Sequence, residues 1–198
     1  MNESLQRLLR DIEQFGLNND RLITDRPRRM LNISHDTGEF LSVLVRATAA
    51  RRILEIGTSN GYSTLWLAAA AVTNAGHVTT VELSDAKIAL ATKNFQQSGL
   101  MTAITQRQGQ AGDVLRNAAD ADYEFIFLDS DRDEYLAWWP DLRRVLRPGG
   151  LLVVDNALSH PAEMAPFIKR VREDAEFTTC TVAVGNGEFL ATRGAVGR

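Results

Sequence analysis

The stretch Arg52-Ile53-Leu54-Glu55-Ile56-Gly57-Thr58-Ser59-Asn60-Gly61-Tyr62-Ser63 decides the fold. Ile53, Leu54 and Ile56 form a short apolar run of the kind that makes a buried strand, interrupted by one acid, Glu55. Gly57 and Gly61 bracket a tight turn, and Ser63 can cap the helix that follows. A strand, a glycine turn and a helix start together cradle a nucleotide-like ligand in open α/β sheets. The dinucleotide form of that cradle needs Gly-x-Gly-x-x-Gly. Counted from Gly57, glycine would have to replace Ser59 and Tyr62, so the pattern is absent. What stands there is Glu-x-Gly-x-x-x-Gly-x-Ser.

Upstream, Leu5, Leu8, Leu9, Ile12 and Phe15 fall at helical spacing, with Gly16 as the expected stop. This amphipathic helix suits packing on the domain or on a second subunit. The polar stretch from Asn18 to Arg29, with Arg21, Arg26, Arg28 and Arg29, reads as a solvated loop or as an anion-binding lip over the site. Ser34 is an N-cap for a helix with Phe40, Leu41, Leu44 and Val45 on its apolar face.

Downstream, strands and helices alternate. Trp66, Leu67 and the alanines after them form a helix broken at Asn74-Ala75-Gly76, and Val78 to Leu83 is a second strand. Ser84-Asp85 opens a helix that Gly99 ends, followed by a weak strand from Ala103 to Gln108 and a short helix from Asp113 to Ala118. Phe125 to Asp129 is a fourth strand. Glu134 to Leu146 is helical, with Pro140 kinking it or starting a second segment. Arg147-Pro148-Gly149-Gly150 reads as a turn before a fifth strand, Leu151 to Val154, and Phe167, Ile168 and Val171 mark a last helix. Asn186-Gly187 predicts a hairpin between Thr178–Val184 and Phe189–Thr192. The expected architecture is an α/β, doubly wound, mainly parallel sheet with N-terminal helices and a C-terminal antiparallel hairpin.

At 198 residues, one domain spanning 1–198 is expected, with a helical cap over 1–50 and an α/β core over 51–198. Net charge −3 leaves no electrostatic footprint for nucleic acid. Glu3, Arg7, Arg10 and Asp11 among the first leucines read against a secretory leader, and no apolar run nears the ~20 residues of a membrane span. The single cysteine, Cys180, excludes an intrachain disulfide and fits a reducing, cytoplasmic compartment.

Ligands of such sheets bind at the carboxyl ends of the strands. The residues that end the apolar strands here are Glu55 with Gly57, Glu82, Asp129, and Asp155 with Asn156. Glu82, about 20 residues past the glycine turn, suits the ribose hydroxyls of an adenosine cofactor. Asp129, Asp155 and Asn156 offer hard oxygen ligands of the kind that hold Mg²⁺ or Ca²⁺, not Zn²⁺. His35, His77 and His160 lack metal-site spacing, and no Gly-x-Ser-x-Gly elbow is present.

On these motifs the chain resembles the small cation-dependent O-methyltransferases, the group of the catechol and caffeoyl-CoA O-methyltransferases, within the class I, Rossmann-like S-adenosylmethionine-dependent methyltransferases. The likeness runs from Ser34-x-x-x-Gly38-Glu39-Phe40-Leu41 through Glu55-x-Gly57-x-x-x-Gly61-Tyr62-Ser63, Glu82 and Phe127-Leu128-Asp129 to Arg147-Pro148-Gly149-Gly150, Asp155-Asn156 and Val184-Gly185-Asn186-Gly187. The resemblance implies a seven-stranded sheet. It implies S-adenosylmethionine contacts at Ile33, Glu55, Gly57, Ser59, Gly61, Tyr62, Ser63, Glu82, Leu83, Gly109, Ala111 and Asp129. Ser63 would lie near the methionine carboxylate, Glu82 on the ribose and Ala111 at the adenine. Asp129, Asp155 and Asn156 would hold a divalent cation, Mg²⁺ by preference with Ca²⁺ or Mn²⁺ as alternatives. The acceptor would be a small hydroxylated, aromatic molecule, and the assembly a homodimer.

Two departures stand out. Where the family has Asp-x-x-Lys with a lysine base, this chain has Asp129-Ser130-Asp131-Arg132. Arginine stays protonated and cannot take a proton, though it can steady an oxyanion, so Asp129 and Arg132 are the expected catalytic pair. The substrate loop is also short, with only Ala157 to Ala162 between Asn156 and the last helix. Two other readings stay open: a metal-independent methyltransferase acting on another nucleophile, and a cofactor-binding protein without turnover.

Overall fold

Seven strands form one sheet in the order β3-β2-β1-β4-β5-β7-β6. In chain order the elements are α1 (Glu3–Leu22), α2 (His35–Ala47), β1 (Arg52–Ile56), α3 (Tyr62–Ala71), β2 (His77–Glu82), α4 (Asp85–Ser98), β3 (Ile104–Gln108), α5 (Ala111–Asn117), β4 (Tyr123–Leu128), α6 (Tyr135–Val145), β5 (Leu146–Val154), α7 (Pro161–Arg172), β6 (Phe177–Val182) and β7 (Glu188–Arg193). The computed structural model describes residues 1–194. The first five strands pair in parallel, while β7 lies antiparallel to both β5 and β6. Strand order reverses between β1 and β4, which opens a crevice at their carboxyl ends. No described helix is long and apolar enough to cross a membrane.

The period of two along each strand divides the interior into two cores. Ile53, Phe125, Phe127, Leu151 and Val153 face a core completed by α1, α2, α3 and α4. Leu54, Ile56, Ile126, Leu128, Leu152 and Val154 face one completed by α5, α6 and α7. Central parallel strands are apolar on both sides because both faces are covered. The helix α3 is buried along its whole length, because α1 and α2 cover the side that the sheet does not. Its run of small alanines lets those layers approach closely.

Several local expectations change in the folded chain. Gly16 does not stop α1, which continues to Leu22. A β-carbon at Gly16 would strike the Asn32 amide, so this glycine serves a close crossing of chain segments. Gly61 is the residue before α3, with no side-chain cap, and the Ser63 hydroxyl is drawn instead to Glu55. The segment Arg147-Pro148-Gly149-Gly150 lies inside β5 as a bulge rather than as a separate turn. Tyr123 pairs with Leu146 and Phe125 with Leu151, so the extra residues loop out between two paired positions. Pro140 stays within one unbroken α6, on its exposed side, where water can meet the carbonyl it leaves free. The hairpin forms with Asn186-Gly187 at its tip, and β6 ends at Val182.

Candidate active site

A single cavity of about 1000 Å³ opens at the carboxyl ends of β1, β2, β4 and β5. Its lining includes Ile33, Gly57, Ser59, Tyr62, Ser63, Glu82, Leu83, Gly109, Ala111, Asp129, Arg132, Asp155 and Asn156. Thirteen of the expected site residues therefore share one cavity, and Glu55 and Gly61 do not line it.

The glycine loop is clamped from three directions. Gly57 has φ +109, and a β-carbon there would collide with the Asp129 carbonyl oxygen, so only glycine lets β1 end this close to β4. Ser59, at φ 49, donates its N–H to Glu82 Oε2 at 2.8 Å and its hydroxyl to the Met30 carbonyl at 2.7 Å. Glu82 also accepts from Leu83 N and Ser84 N, both at 2.9 Å. The carboxylate thus arrives at the cavity already oriented by backbone.

Glu55 has a different place from the one expected. It is fully buried beneath the loop, where its carboxyl accepts hydrogen bonds from Ser63 (2.6 Å), Thr80 (2.6 Å) and Thr64. Burial pushes it up to about 7, against the opposing pull of those three hydroxyls. Its direct contact with a cofactor is corrected to a role in fixing the first turn of α3.

At the other end of the cavity, Asp129 follows β4 and Asp155 follows β5, each with its N–H on the neighbouring strand. Asn156, at φ 70, turns back so that Nδ2 lies 3.3 Å from Asp129 Oδ1 and 3.1 Å from Asp155 Oδ2. Desolvation and the facing Asp155 charge hold Asp129 well above the usual carboxylate range, while Arg132 and Lys87 oppose that rise. Asp155, only 3% exposed, is raised chiefly by burial.

Among the described residues no group of three or more His, Cys, Asp or Glu side chains is arranged as a metal site. The set here is two acids and an amide. Rotating the Asn156 amide by half a turn brings Oδ1 toward both carboxylates, and Ser159 Oγ, now 3.1 Å from Oδ1, can then accept from Nδ2. With that flip the donor set is two carboxylates and an amide oxygen, the chemistry of a hard divalent cation's ligands.

Arg132 is buried, and its Nε donates to Glu163 Oε2 at 2.7 Å. Its guanidinium therefore stands beside the acids but is held by a carboxylate on α7. His160 pairs through Nδ1 with Ser159 Oγ at 2.9 Å.

Sequence reading missed Glu188. Glu188 falls between Gly187 and the expected strand from Phe189, a turn position by sequence, yet it is fully buried as the first residue of β7. The Thr37 hydroxyl donates to it at 3.1 Å, and burial and the adjoining Asp155 push it up to about 9. The β5–β7 register pairs Val154 with Phe189, so one further step sets Asp155 against Glu188. That register was the only available signal. Trp138 was also missed. Its indole nitrogen stands 3.2 Å from where a Gly112 β-carbon would be, beside Ala111.

Comparison with known proteins follows from this geometry. Residues 11–194 match the O-methyltransferase family. The chain belongs to that family. A catechol O-methyltransferase of Niastella koreensis is 35% identical over 131 residues, which is 65% of this chain and 59% of that protein's length. The chain thus matches less than two thirds of that relative. The caffeoyl-CoA O-methyltransferase 1 of Nicotiana tabacum is 27% identical over 84% of this chain and 79% of its own length. The crystal structure of an O-methyltransferase from Bacillus cereus in complex with SAH superposes with a TM-score of 0.80 at 26% identity, covering 98% of this chain and 91% of that one.

Proposed function

We propose that this chain is an S-adenosylmethionine-dependent O-methyltransferase that methylates a hydroxyl of a small aromatic acceptor held on a divalent cation, Mg²⁺ by preference. One observation carries the reading: the Gly57–Glu82 cradle and the Asp129–Asp155–Asn156 cluster open into the same cavity. Glu82 and Leu83 take the ribose side and Gly109, Ala111 and Trp138 the adenine side. Ile33, Ser59 and the first turn of α3, with Tyr62 and Ser63, meet the methionine end, where helix N–H groups favour a carboxylate.

The bound donor supplies an already activated methyl group on its sulfonium. Asp129, Asp155 and Asn156 would hold the cation, which would supply Lewis-acid chemistry that lowers the pKa of the acceptor's hydroxyl. The S–CH₃ bond breaks as the O–CH₃ bond forms, and the hydroxyl proton goes to solvent. Arg132 faces the developing oxyanion with a fixed positive charge, and Glu163 keeps that charge in place. Arginine is no base, so no side chain is an obligatory proton acceptor here. The lone exposed Cys180 supports a cytoplasmic location. Phe15, Leu17 and Leu22, exposed on α1, support a homodimer, which light scattering at micromolar concentration tests.

The decisive experiment incubates labelled S-adenosylmethionine with a panel of dihydroxylated aromatics, with Mg²⁺ or with excess EDTA. Label transfer only with Mg²⁺ is expected. Equal transfer in EDTA favours the metal-independent reading. Cofactor binding with no transfer to any acceptor favours the binding-protein reading.

A further inference from the structure

Asp155 lines the cavity, whereas Glu188 does not. Glu188 stands behind it. The β5–β7 register, continued one step past the Val154–Phe189 pair, sets Asp155 directly opposite Glu188. Residues opposite each other in an antiparallel pair point to the same face, with their β-carbons about 5 Å apart. That face is shared with Val153 and Leu190, and α2 helps to cover it. The two carboxyls meet there, out of reach of water.

The place of Glu188 is built from both sides. The hairpin tip is stitched to the turn after Asn156: Ala157 N donates to the Gly187 carbonyl at 2.8 Å, and Leu158 N and Ser159 N donate to the Asn186 carbonyl at 3.1 and 3.0 Å. A β-carbon at Gly187, whose φ is +90, would strike Leu158, and one at Gly185 would strike the Thr37 and Ser34 hydroxyls. From α2 a chain of hydroxyls reaches the acid. Ser34 Oγ accepts from Thr37 N at 3.1 Å and donates to Thr37 Oγ1 at 3.2 Å, and Thr37 Oγ1 donates to Glu188 Oε1 at 3.1 Å.

This leaves Glu188 Oε2, which is buried and receives no donor. Asp155 cannot donate to it while its own oxygens accept from Asn156 N at 2.7 Å and Asn156 Nδ2 at 3.1 Å. A carboxyl meets a carboxylate favourably by placing its own hydrogen between the two oxygens. Glu188 therefore has one oxygen that accepts from α2 and one that holds Asp155.

We propose that Glu188 is a positioning residue of the cation site: it links Thr37 to Asp155 and fixes the direction in which the Asp155 carboxylate faces the cavity. Groups behind a metal-ligating carboxylate orient it and set the affinity of the site. Neither Thr37 nor Glu188 lines the cavity, so their effect on a cation passes through Asp155. This inference rests on the cation reading above.

Calorimetric titration of the full chain with Mn²⁺, checked by the electron paramagnetic resonance of the free ion, compares the wild type with Glu188→Gln, Glu188→Leu and Thr37→Val. Glu188→Gln keeps a carbonyl for Thr37 and an N–H for Asp155, and its affinity should stay within about threefold of the wild type. Glu188→Leu fills the same apolar layer without the link and should bind Mn²⁺ about tenfold more weakly or worse. Thr37→Val leaves the acid in place and removes only its holder, so a loss of about threefold is expected even if the leucine variant melts early. Unchanged affinity in Glu188→Leu and Thr37→Val overturns the inference. So does tighter binding by Glu188→Leu, which would make Glu188 a repelling charge, a loss in Glu188→Gln as large as in Glu188→Leu, or a wild type that binds no Mn²⁺. Methyl transfer is read separately with labelled donor. The expected Mn²⁺ pattern without transfer sustains the inference and defeats the enzyme reading, whereas transfer with a Mn²⁺ affinity indifferent to Glu188 does the reverse.

Discussion

Glu55 and Glu188 are both fully buried glutamates, one in each half of the site, and their surroundings are opposite. Glu55 is met by three hydroxyls, from Ser63, Thr64 and Thr80. Glu188 is met by one hydroxyl, from Thr37, and by another carboxyl, Asp155. Accordingly Glu55 is pushed up to about 7 and Glu188 to about 9. The half around Glu82 is complete in itself, since its buried acid has donors and Glu82 is held by backbone N–H groups. The other half gathers Asp129, Asp155 and Glu188 with few donors. Burial raises all three, and repulsion adds to the rise at Asp129 and Glu188; the proposed cation would relieve that repulsion.

The largest effect should come from breaking the second half. Asp155→Ala removes one of two carboxylates from the proposed cation set. Loss of several kcal/mol of charge stabilisation corresponds to about a 10³-fold fall in turnover. Cofactor affinity should stay within about twofold, because β1 and β4 lie between Glu82 and Asp155. Steady-state rates over a Mg²⁺ series, with calorimetric titration of the donor, check both numbers. Full turnover by the wild type in excess EDTA would falsify the cation assignment whatever the variant does.

Breaking the first half should cost stability instead. Glu55→Ala strands three hydroxyls and opens a cavity beneath the glycine loop, for a loss of about 3 kcal/mol. A pH titration sharpens the point. Glu55 holds its proton to about 7 in the fold, against an ordinary value of 4.5. The folded chain therefore binds that proton more tightly than the unfolded chain. This contribution to stability is intact below pH ~4.5, shrinks as pH rises to ~7, and is gone above, a change of roughly 3 kcal/mol. Glu55→Gln keeps an acceptor oxygen and has no proton to lose. Urea unfolding near pH ~5 and pH ~8 should show a smaller decline for this variant than for the wild type; equal declines would assign the pH dependence to other groups.

Much of this contrast was legible in the sequence because position along a strand is legible. Asp129 and Asp155 each follow an apolar run, and Glu82 closes the β-branched stretch Val78–Val81, so their places at the carboxyl ends come from the strand pattern alone. Glu55 was harder, because a strand residue one step before the end alternates inward, and only the arrival of Thr80 from β2 shows what it meets. Glu188 follows a glycine turn, where an acid normally faces water. Its burial comes from β7 inserting between β5 and β6 with the Thr37 end of α2 packed over it, none of which is local in sequence. Gly16 misled for the same reason, since the Asn32 amide that excludes a side chain there comes from another part of the chain.

A smaller effect is expected at the cradle. Glu82→Ala removes the acceptor proposed for the ribose and frees the N–H groups of Ser59, Leu83 and Ser84. Donor affinity should fall by about 1–3 kcal/mol. Calorimetry that finds it unchanged would move the cofactor elsewhere in the cavity and remove the contrast between the two halves.

The smallest effects separate charge from proton transfer beside the acids. Arg132 occupies the place of the family's lysine but is held by Glu163, so it can stabilise an oxyanion and cannot accept a proton. Arg132→Lys keeps the charge and should retain turnover within a few-fold. Arg132→Ala should lose about tenfold, mainly in kcat, since the charge acts on a group that forms only as the proton leaves. His160 is the imidazole that lines the cavity, and its Nδ1 pairs with Ser159 Oγ. If it is not the base, His160→Ala should change turnover by no more than about twofold. The rate–pH profile then follows the acceptor's own hydroxyl and moves when acceptors of different acidity are compared. A fixed inflection near pH ~6–7 that vanishes in His160→Ala would assign the proton to histidine. Arg132 would then be left as a structural partner of Glu163, and the acid-rich half of the site would contain a base of its own.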